Sequence, residues 1–177
     1  MNYGNIKYCD IADGEGVRTS LFVSGCTHHC TNCFQPQTWD FGFGKEFTSE
    51  TEEAIMRSLE PVYVDGLTVL GGEPMEPANQ HVLAPFLARV KERFPAKSIW
   101  MYTGDLYEDI TDPCSNRHTA ATDALLSFID VLVDGPFIEA QKDISLRFRG
   151  SANQRIIDMP ATLAAGHVIE WQDKAIY

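Results

Sequence analysis

The sequence contains few basic residues and no long apolar run. Its 177 residues include 14 lysines and arginines against 25 aspartates and glutamates, which gives a formal net charge of −11. An acidic surface repels phosphate backbones, so we do not expect a nucleic-acid-binding protein. No apolar run approaches the ~18 residues that a membrane-spanning helix requires. The first residues also lack the apolar core of a signal peptide. We therefore expect a cytoplasmic protein with no membrane partner.

Cysteine is scarce outside one short segment, residues 24–34, which we call the cysteine loop. Three of the five cysteines lie there with the spacing C-x3-C-x2-C: Cys26, Cys30 and Cys33. An ordinary iron–sulfur cluster has four cysteine ligands, and the local motif offers three. Three thiolates can hold three irons of a four-iron cluster, and the fourth iron is then open to a small chelating molecule.

Other uses of these cysteines fit the spacing less well. A zinc site completed by His28 or His29 would be a Cys3His tetrahedron. Such sites usually include a second C-x2-C pair, which the chain lacks. A disulfide would leave one cysteine over and strain the bridge. We interpret the two histidines as loop-packing or solvent residues, and Cys9 and Cys114 as ordinary thiols.

Strand and helix patterns alternate along the chain. We predict strands over residues 19–24, 66–70, 98–102 and 131–133. We predict helices that begin near Thr48 or Ser49 and near Pro85, and a helix over about residues 119–129. This alternation predicts an α/β protein with a parallel sheet and right-handed crossovers. We expect one domain over residues 1–177. Residues 158–177 form a C-terminal extension of undefined structure, with an edge strand indicated over residues 167–171.

Glycine and polar residues follow each predicted strand. The carboxyl ends of parallel strands lie on one edge of a sheet, where ligands bind, so we expect these residues to form one rim. Each segment taken alone is more typical of a turn than of a binding site. The segments are Gly25-Cys26, Gly71-Gly72-Glu73, Thr103-Gly104 and Asp134-Gly135.

Basic residues are concentrated in residues 142–155, which include Lys142, Arg147, Arg149 and Arg155. We interpret this segment as a solvated loop. The alternative is a docking surface or a clamp for a carboxylate.

The combination of the cysteine loop with Gly71-Gly72-Glu73-Pro74 resembles the radical S-adenosylmethionine superfamily. The lead-in Asp13-Gly14-Glu15-Gly16-Val17-Arg18 is similar to that of glycyl-radical enzyme activating proteins. Further segments resemble the activating proteins of anaerobic ribonucleotide reductase, and the resemblance runs from residue 1 to about residue 158. These segments are residues 1–3, 21–26, 38–39, 100–104, 131–135 and 149–151.

This resemblance implies a small incomplete (β/α) barrel with parallel strands and an oxidoreductase activity. Cys26, Cys30 and Cys33 would bind a [4Fe-4S] cluster whose open iron is chelated by S-adenosylmethionine. The pocket for S-adenosylmethionine would be built from four segments of the chain. The residues are Asn32, Cys33 and Phe34 for the adenine side, Gly71, Gly72 and Glu73 for the methionine amine, and Tyr102, Thr103 and Asp134 for the remainder.

The implied reaction is reductive cleavage of S-adenosylmethionine to methionine and a 5′-deoxyadenosyl radical. That radical would remove a hydrogen atom from a glycine of the large subunit of anaerobic ribonucleotide reductase. A low-potential donor such as flavodoxin would supply the electron. Two alternatives stay open. One is a radical S-adenosylmethionine enzyme that acts on a small molecule such as a deazapurine precursor. The other is a non-enzymatic zinc or iron–sulfur module.

The chain departs from the family pattern at two points. Asn32 stands where glycine or an apolar residue is expected, so the adenine contact would differ in detail. Additional ferredoxin-type cysteines are absent from the sequence, which predicts a single cluster.

Overall fold

The computed structural model describes residues 1–173, and a seven-stranded sheet in the order β3-β1-β2-β4-β5-β6-β7 forms its centre. The strands are β1 (Asn2–Asp10), β2 (Arg18–Val23), β3 (Lys45–Glu46), β4 (Gly66–Gly71), β5 (Ser98–Tyr102), β6 (Val131–Asp134) and β7 (Arg155–Asp158). The helices are α1 (Ser49–Ser58), α2 (Pro77–Arg93), α3 (Tyr107–Thr111), α4 (Thr122–Ser127) and α5 (Met159–Ala165).

The parallel part of the sheet is the predicted one. β2, β4, β5 and β6 pair in parallel, with Leu21 beside Val69 and Val69 beside Met101. Antiparallel strands extend this core, with β1 and β3 on one side and β7 on the other. β3 and β7 stand at opposite ends of the order and are not paired with each other in residues 1–173, so the described sheet is open. The fold is thus mixed α/β.

The two faces of the sheet have different neighbours, because side chains alternate along a strand. On one face, Leu21, Val69 and Met101 belong to the main hydrophobic core, together with Ile55 of α1 and Leu87 of α2. On the other face, Phe22, Leu70 and Tyr102 line a cavity. The helices therefore pack against one face of the sheet, and the opposite face is available for a ligand.

The predicted bounds of two helices were wrong. α2 begins at Pro77 and not near Pro85, which lies inside the helix. Proline suits the first turn of a helix, and Pro77 is the proline that occupies it. α4 spans Thr122–Ser127 and is shorter than the predicted helix over residues 119–129. The predicted start of α1 is confirmed, with Thr48 as its N-cap: the Thr51 N–H donates to the Thr48 hydroxyl at 3.4 Å.

The C-terminal segment packs beside β7 without forming a full strand. Glu170 makes an isolated antiparallel bridge with Ile157, and the Trp171 N–H donates to the Ile156 carbonyl at 2.8 Å. The Trp171 ring lies 5.3 Å from that of Trp100, measured between centroids. The edge strand predicted over residues 167–171 is therefore reduced to one bridge. The end of the predicted extension, residues 174–177, lies outside the described residues.

Among the described residues, every helix is too short or too polar to cross a lipid bilayer.

Candidate functional site

The cysteine loop leaves the carboxyl end of β2 and is held at its start by backbone hydrogen bonds. The Gly25 N–H donates to the Thr38 carbonyl at 2.8 Å, and the Cys26 N–H donates to the Trp39 carbonyl at 3.3 Å. Cys26 is buried, whereas Cys30 and Cys33 are half-buried. All three cysteines line the cavity on the open face of the sheet, which has a volume of about 640 Å³.

Two residues of the cysteine loop have left-handed backbone conformations. His29 has a φ of 48° and Asn32 a φ of 57°. Asparagine adopts this region more readily than most residues other than glycine. The left-handed backbone at position 32 therefore suits asparagine, as it would suit glycine. His29 packs edge-on against Trp39, with ring centroids 4.7 Å apart, which is the loop-packing role expected for it.

The two glycines after β4 allow a close approach to the cysteine loop. The Gly72 N–H donates to the Val23 carbonyl at 2.8 Å, and the Glu73 N–H donates to the Gly25 carbonyl at 2.8 Å. A Cβ atom at Gly72 would lie 2.6 Å from the Gly25 carbonyl oxygen. Gly71 has a φ of 111°, a conformation that residues with a Cβ rarely adopt. This strand end and the cysteine loop are thus one structural unit.

The Glu73 side chain is 1% exposed, and its carboxylate is bonded within the protein. It accepts hydrogen bonds from the Met75 N–H, the Thr103 hydroxyl and the Gly104 N–H, each at 2.8 Å. It also lies 3.1 Å from His28 Nε2. The carboxylate therefore fixes the ends of β4 and β5 relative to the cysteine loop.

His28 is held between two carboxylates rather than free in solvent. Its Nε2 lies 3.3 Å from Asp105 and 3.1 Å from Glu73. Hydrogen bonds to Asp105 and then to Glu73 raise the pKa of His28 to about 10. The imidazole is therefore charged at neutral pH, and its position inside the cysteine motif gave no sequence signal for this ion pair.

Arg117 continues this network and was not identified from the sequence. Its guanidinium pairs with Glu76 at 2.7 Å and with Asp105 at 3.0 Å. Glu76 in turn accepts from the N–H and the hydroxyl of Thr27, at 2.8 and 2.7 Å. Arg117 precedes α4 and has no motif neighbour, so only the folded chain brings it to the cysteine loop.

Most of the residues predicted for the pocket meet at the cavity. The predicted residues that line it are Asn32, Cys33, Phe34, Gly71, Gly72, Glu73, Tyr102 and Thr103. Asp134 is fully buried beside the cavity and does not line it. Its carboxylate accepts from the Tyr107 N–H at 2.8 Å and from Arg155 Nε at 2.9 Å. The neighbouring Gly135 lines the cavity at this strand end.

The basic segment over residues 142–155 is divided between two roles. Lys142 and Arg149 line the cavity. Arg147 instead pairs with Asp173, and Arg155 pairs with Glu108 at 2.7 Å as well as with Asp134. The segment is thus more than the solvated loop that we expected, because part of it forms the wall opposite the cysteine loop.

Asp13 supplies an acidic group to the same cavity. Burial, together with the neighbouring Asp10 carboxylate, raises the pKa of Asp13 to about 7. The cavity wall therefore contains a carboxyl group that titrates near neutral pH, in addition to the thiols.

The donor set fits an iron–sulfur cluster better than a single zinc ion. Tetrahedral zinc holds its sulfur ligands ~3.8 Å apart, as Zn–S bonds of ~2.3 Å require. Among residues 1–173, the group of three side chains whose ligand atoms all lie within 4.8 Å is His28, Glu73 and Asp105, and the three cysteines do not form such a group. Three thiols spread around one cavity suit a larger, thiolate-bound centre.

Assembly of such a centre would release a proton from Cys26. Burial raises the pKa of the metal-free Cys26 thiol to about 11. The thiol is therefore protonated at neutral pH before metal binding, and thiolate ligation must displace that proton.

The family described as a 4Fe-4S single cluster domain matches residues 12–157. The anaerobic ribonucleoside-triphosphate reductase-activating protein of Haemophilus influenzae is 42% identical over 158 residues, which is 88% of this chain and 97% of that protein. The proteins of the same name from Enterobacteria phage T4 and Escherichia coli K12 are 37% and 36% identical over 156 residues. These alignments cover 88% and 87% of this chain, and 93% and 96% of the relatives. The chain therefore belongs to the family of anaerobic ribonucleoside-triphosphate reductase-activating proteins, with a 4Fe-4S single cluster domain.

Proposed function

We propose that this protein is an iron–sulfur enzyme that cleaves S-adenosylmethionine reductively and generates a glycyl radical on anaerobic ribonucleotide reductase. One observation carries the proposal. The three thiols of the cysteine loop and the Gly71-Gly72-Glu73 strand end line the same cavity, at the carboxyl ends of parallel strands. Membership of a family of reductase-activating proteins supports the choice of target.

Cys26, Cys30 and Cys33 would hold the cluster, with one thiolate for each of three irons. A bound cluster would supply the one-electron reduction of the S-adenosylmethionine sulfonium, with the electron coming from an external low-potential donor. The half-buried positions of Cys30 and Cys33 leave room for a ligand beside them. The protein supplies binding, orientation and exclusion of water.

The strand end after β4 would hold the methionine portion. Because the Glu73 carboxylate is bonded to Thr103, Gly104 and His28, the groups suited to an amine are the backbone carbonyls of Gly71 and Gly72. This differs from a direct ion pair with Glu73, and it uses the absence of side chains at the two glycines.

The remaining predicted contacts would surround the nucleoside. Asn32 and Phe34 lie on the cysteine loop at the cavity edge, and Phe34 is 95% exposed in the free protein. Tyr102 lies on the opposite wall, where burial raises the pKa of its phenol, so it stays protonated. An exposed aromatic ring at the cavity edge can stack on an adenine base.

We propose that the sheet is a small incomplete barrel. Helices cover one face, the cavity occupies the other, and the described sheet is open. An incomplete barrel admits a loop of a partner protein, as hydrogen removal from a backbone glycine requires. We further propose that residues 1–177 form one domain, that the protein is cytoplasmic, and that a flavodoxin-type donor supplies the electron.

The experiment is a radical-transfer assay with the anaerobically reconstituted protein. We expect methionine and 5′-deoxyadenosine to form with a strong reductant, and a glycyl radical signal to appear when the reductase is added. Cys30→Ala should abolish both, whereas Cys114→Ala, which removes an exposed thiol, should leave both unchanged. An iron-loaded protein that does not cleave S-adenosylmethionine would refute the proposal. Cleavage that depends on a metabolite and not on the reductase would favour the small-molecule alternative.

A further inference from the structure

Behind the cysteine loop lies a cluster of charged side chains, three of which (Glu76, Asp105 and Arg117) belong neither to the sequence motifs nor to the cavity wall. It consists of His28, Glu73, Glu76, Asp105 and Arg117, and we call it the loop brace. Glu73 and Glu76 are 1% and 4% exposed, and Arg117 is 9% exposed. Charged groups removed from water cost free energy unless they are paired and fully hydrogen-bonded.

The loop brace contacts the two residues that follow the first cysteine. The N–H and hydroxyl of Thr27 donate to Glu76 at 2.8 and 2.7 Å. Arg117 donates to the Thr27 hydroxyl at 3.0 Å and pairs with the other oxygen of Glu76 at 2.7 Å. The next residue, His28, pairs with Glu73 and Asp105. The path of the chain from Cys26 towards Cys30 is therefore fixed by side chains from outside the loop.

The loop brace also joins segments that are distant in sequence. Glu73 and Glu76 follow β4, Asp105 follows β5, and Arg117 precedes α4. Arg117 Nε donates to Asp105 at 3.1 Å, and the same guanidinium reaches Glu76 and Thr27. One side chain thus ties the cysteine loop to two strand ends.

A bound cation is not the explanation of this cluster. The ligand atoms of His28, Glu73 and Asp105 lie within 4.8 Å of one another. However, Arg117 Nη2 lies 3.4 Å from His28 Nε2 and its Nε lies 3.0 Å from Asp105, so a guanidinium already occupies the cation position. The arrangement is that of an ion-pair network.

We propose that Arg117 and His28 are positioning residues that hold the Cys26–Cys30 segment in the geometry required for cluster assembly and for binding of S-adenosylmethionine beside it. This inference rests on the proposed function. It adds that residues other than the three cysteines determine where the thiols stand. Residues that orient metal ligands from behind typically contribute ~10–100-fold to metal affinity or activity.

The test compares Arg117→Gln and Arg117→Lys with the control Arg93→Gln in the full-length protein. Arg93 is a surface residue in the last turn of α2, at the opposite end of that helix from Glu76, and it pairs with Glu60 at 2.6 Å. We expect Arg117→Gln to lower iron and sulfide content after reconstitution, and to change the electron paramagnetic resonance spectrum recorded with S-adenosylmethionine. Its KM for S-adenosylmethionine should rise ~10-fold. Arg117→Lys should be intermediate, and Arg93→Gln should match the unsubstituted protein.

A second measurement follows the loop itself without metal. We expect faster hydrogen exchange at the amides of Thr27 and His28 in metal-free Arg117→Gln, because the brace no longer holds them. Glu76→Gln loosens the same loop from the other side and carries the test if Arg117→Gln does not fold. Wild-type iron content, spectrum and amide exchange in either variant would overturn the proposal, even if thermal stability fell. Failure of the unsubstituted protein to cleave S-adenosylmethionine would instead refute the proposed function, while the comparison of iron content among variants would still stand.

Discussion

Gly71→Ala tests the contact between the end of β4 and the cysteine loop. Gly71 has a φ of 111°, and an alanine held there stores roughly 1–3 kcal/mol of strain. Its Cβ would also lie 2.7 Å from the Val23 nitrogen and 2.8 Å from the Phe22 carbonyl carbon. These are backbone atoms of β2 and cannot move without disturbing the β2–β4 pairing.

These contacts set the loss in free energy of unfolding expected for Gly71→Ala. Relief of the clash would weaken the hydrogen bonds that Gly72 and Glu73 donate to Val23 and Gly25, each of which contributes roughly 0.5–1.5 kcal/mol. Added to the backbone strain, this gives a loss of ~3 kcal/mol or more in the free energy of unfolding. Urea denaturation of the metal-free protein, followed by circular dichroism, measures the loss.

Gly166→Ala is the matched control. Gly166 also has a positive φ, 73°, but nothing lies within 4 Å of the position of its Cβ. Gly166→Ala should therefore lower the free energy of unfolding only by the cost of a left-handed backbone at alanine, ~1 kcal/mol. Equal losses in the two variants would refute the close packing of the strand end against β2.

Three further outcomes are expected. Cys30→Ala should lose the cluster but keep the far-ultraviolet circular dichroism of the unsubstituted protein; loss of the fold would mean that the metal is structural. The pKa of Asp13 is about 7 in the folded protein, against an ordinary value of 3.8. Between these pH values the folded state holds a proton that the unfolded chain releases. The free energy of unfolding should therefore fall as the pH rises from 3.8 to about 7. Asp13→Asn should remove that fall, and parallel urea midpoints from pH 4 to 8 would argue against the shift. Trp171→Ala should lower the free energy of unfolding by ~2 kcal/mol, because its indole packs on Trp100 and Phe148. This loss is smaller than for a fully buried ring, since the indole is half-buried. An unchanged melting temperature would show that the C-terminal segment does not stabilise the sheet.

The parallel core of the fold could be predicted because its strands are short buried runs followed by glycine. β2 and β6 are buried at every position, and the apolar residues 21–23 and 131–133 stand out in the sequence. β1 could not be found in this way. Its residues are half-buried or exposed, its pairing with β2 is irregular at two points, and Cys9 has a positive φ of 55°.

The meeting of the three cysteines at one cavity was predictable, because it depends on their local spacing. Cys26, Cys30 and Cys33 lie within one loop, so the motif alone indicates a shared centre. The partners of Asp134 were not predictable, because its bonds to Arg155 and Tyr107 depend on how β6 pairs with β7. That pairing turns a residue expected in the pocket into a buried ion pair.

The loop brace was missed for the same physical reason. Arg117 and Asp105 are separated by a poorly patterned connection, and each carries a charge of the kind that normally faces solvent. Only the approach of the segment before α4 to the strand ends places the guanidinium against Glu76 and Thr27.

The most direct test of the central claim is electron paramagnetic resonance of the anaerobically reconstituted, reduced protein, recorded with and without S-adenosylmethionine. We expect the signal of a reduced [4Fe-4S] cluster, and we expect its spectrum to change when S-adenosylmethionine is added, because the ligand binds the iron that no cysteine holds. A protein with no cluster signal, or with a signal that S-adenosylmethionine leaves unchanged, would contradict the assignment of the cysteine loop and the cavity to radical chemistry.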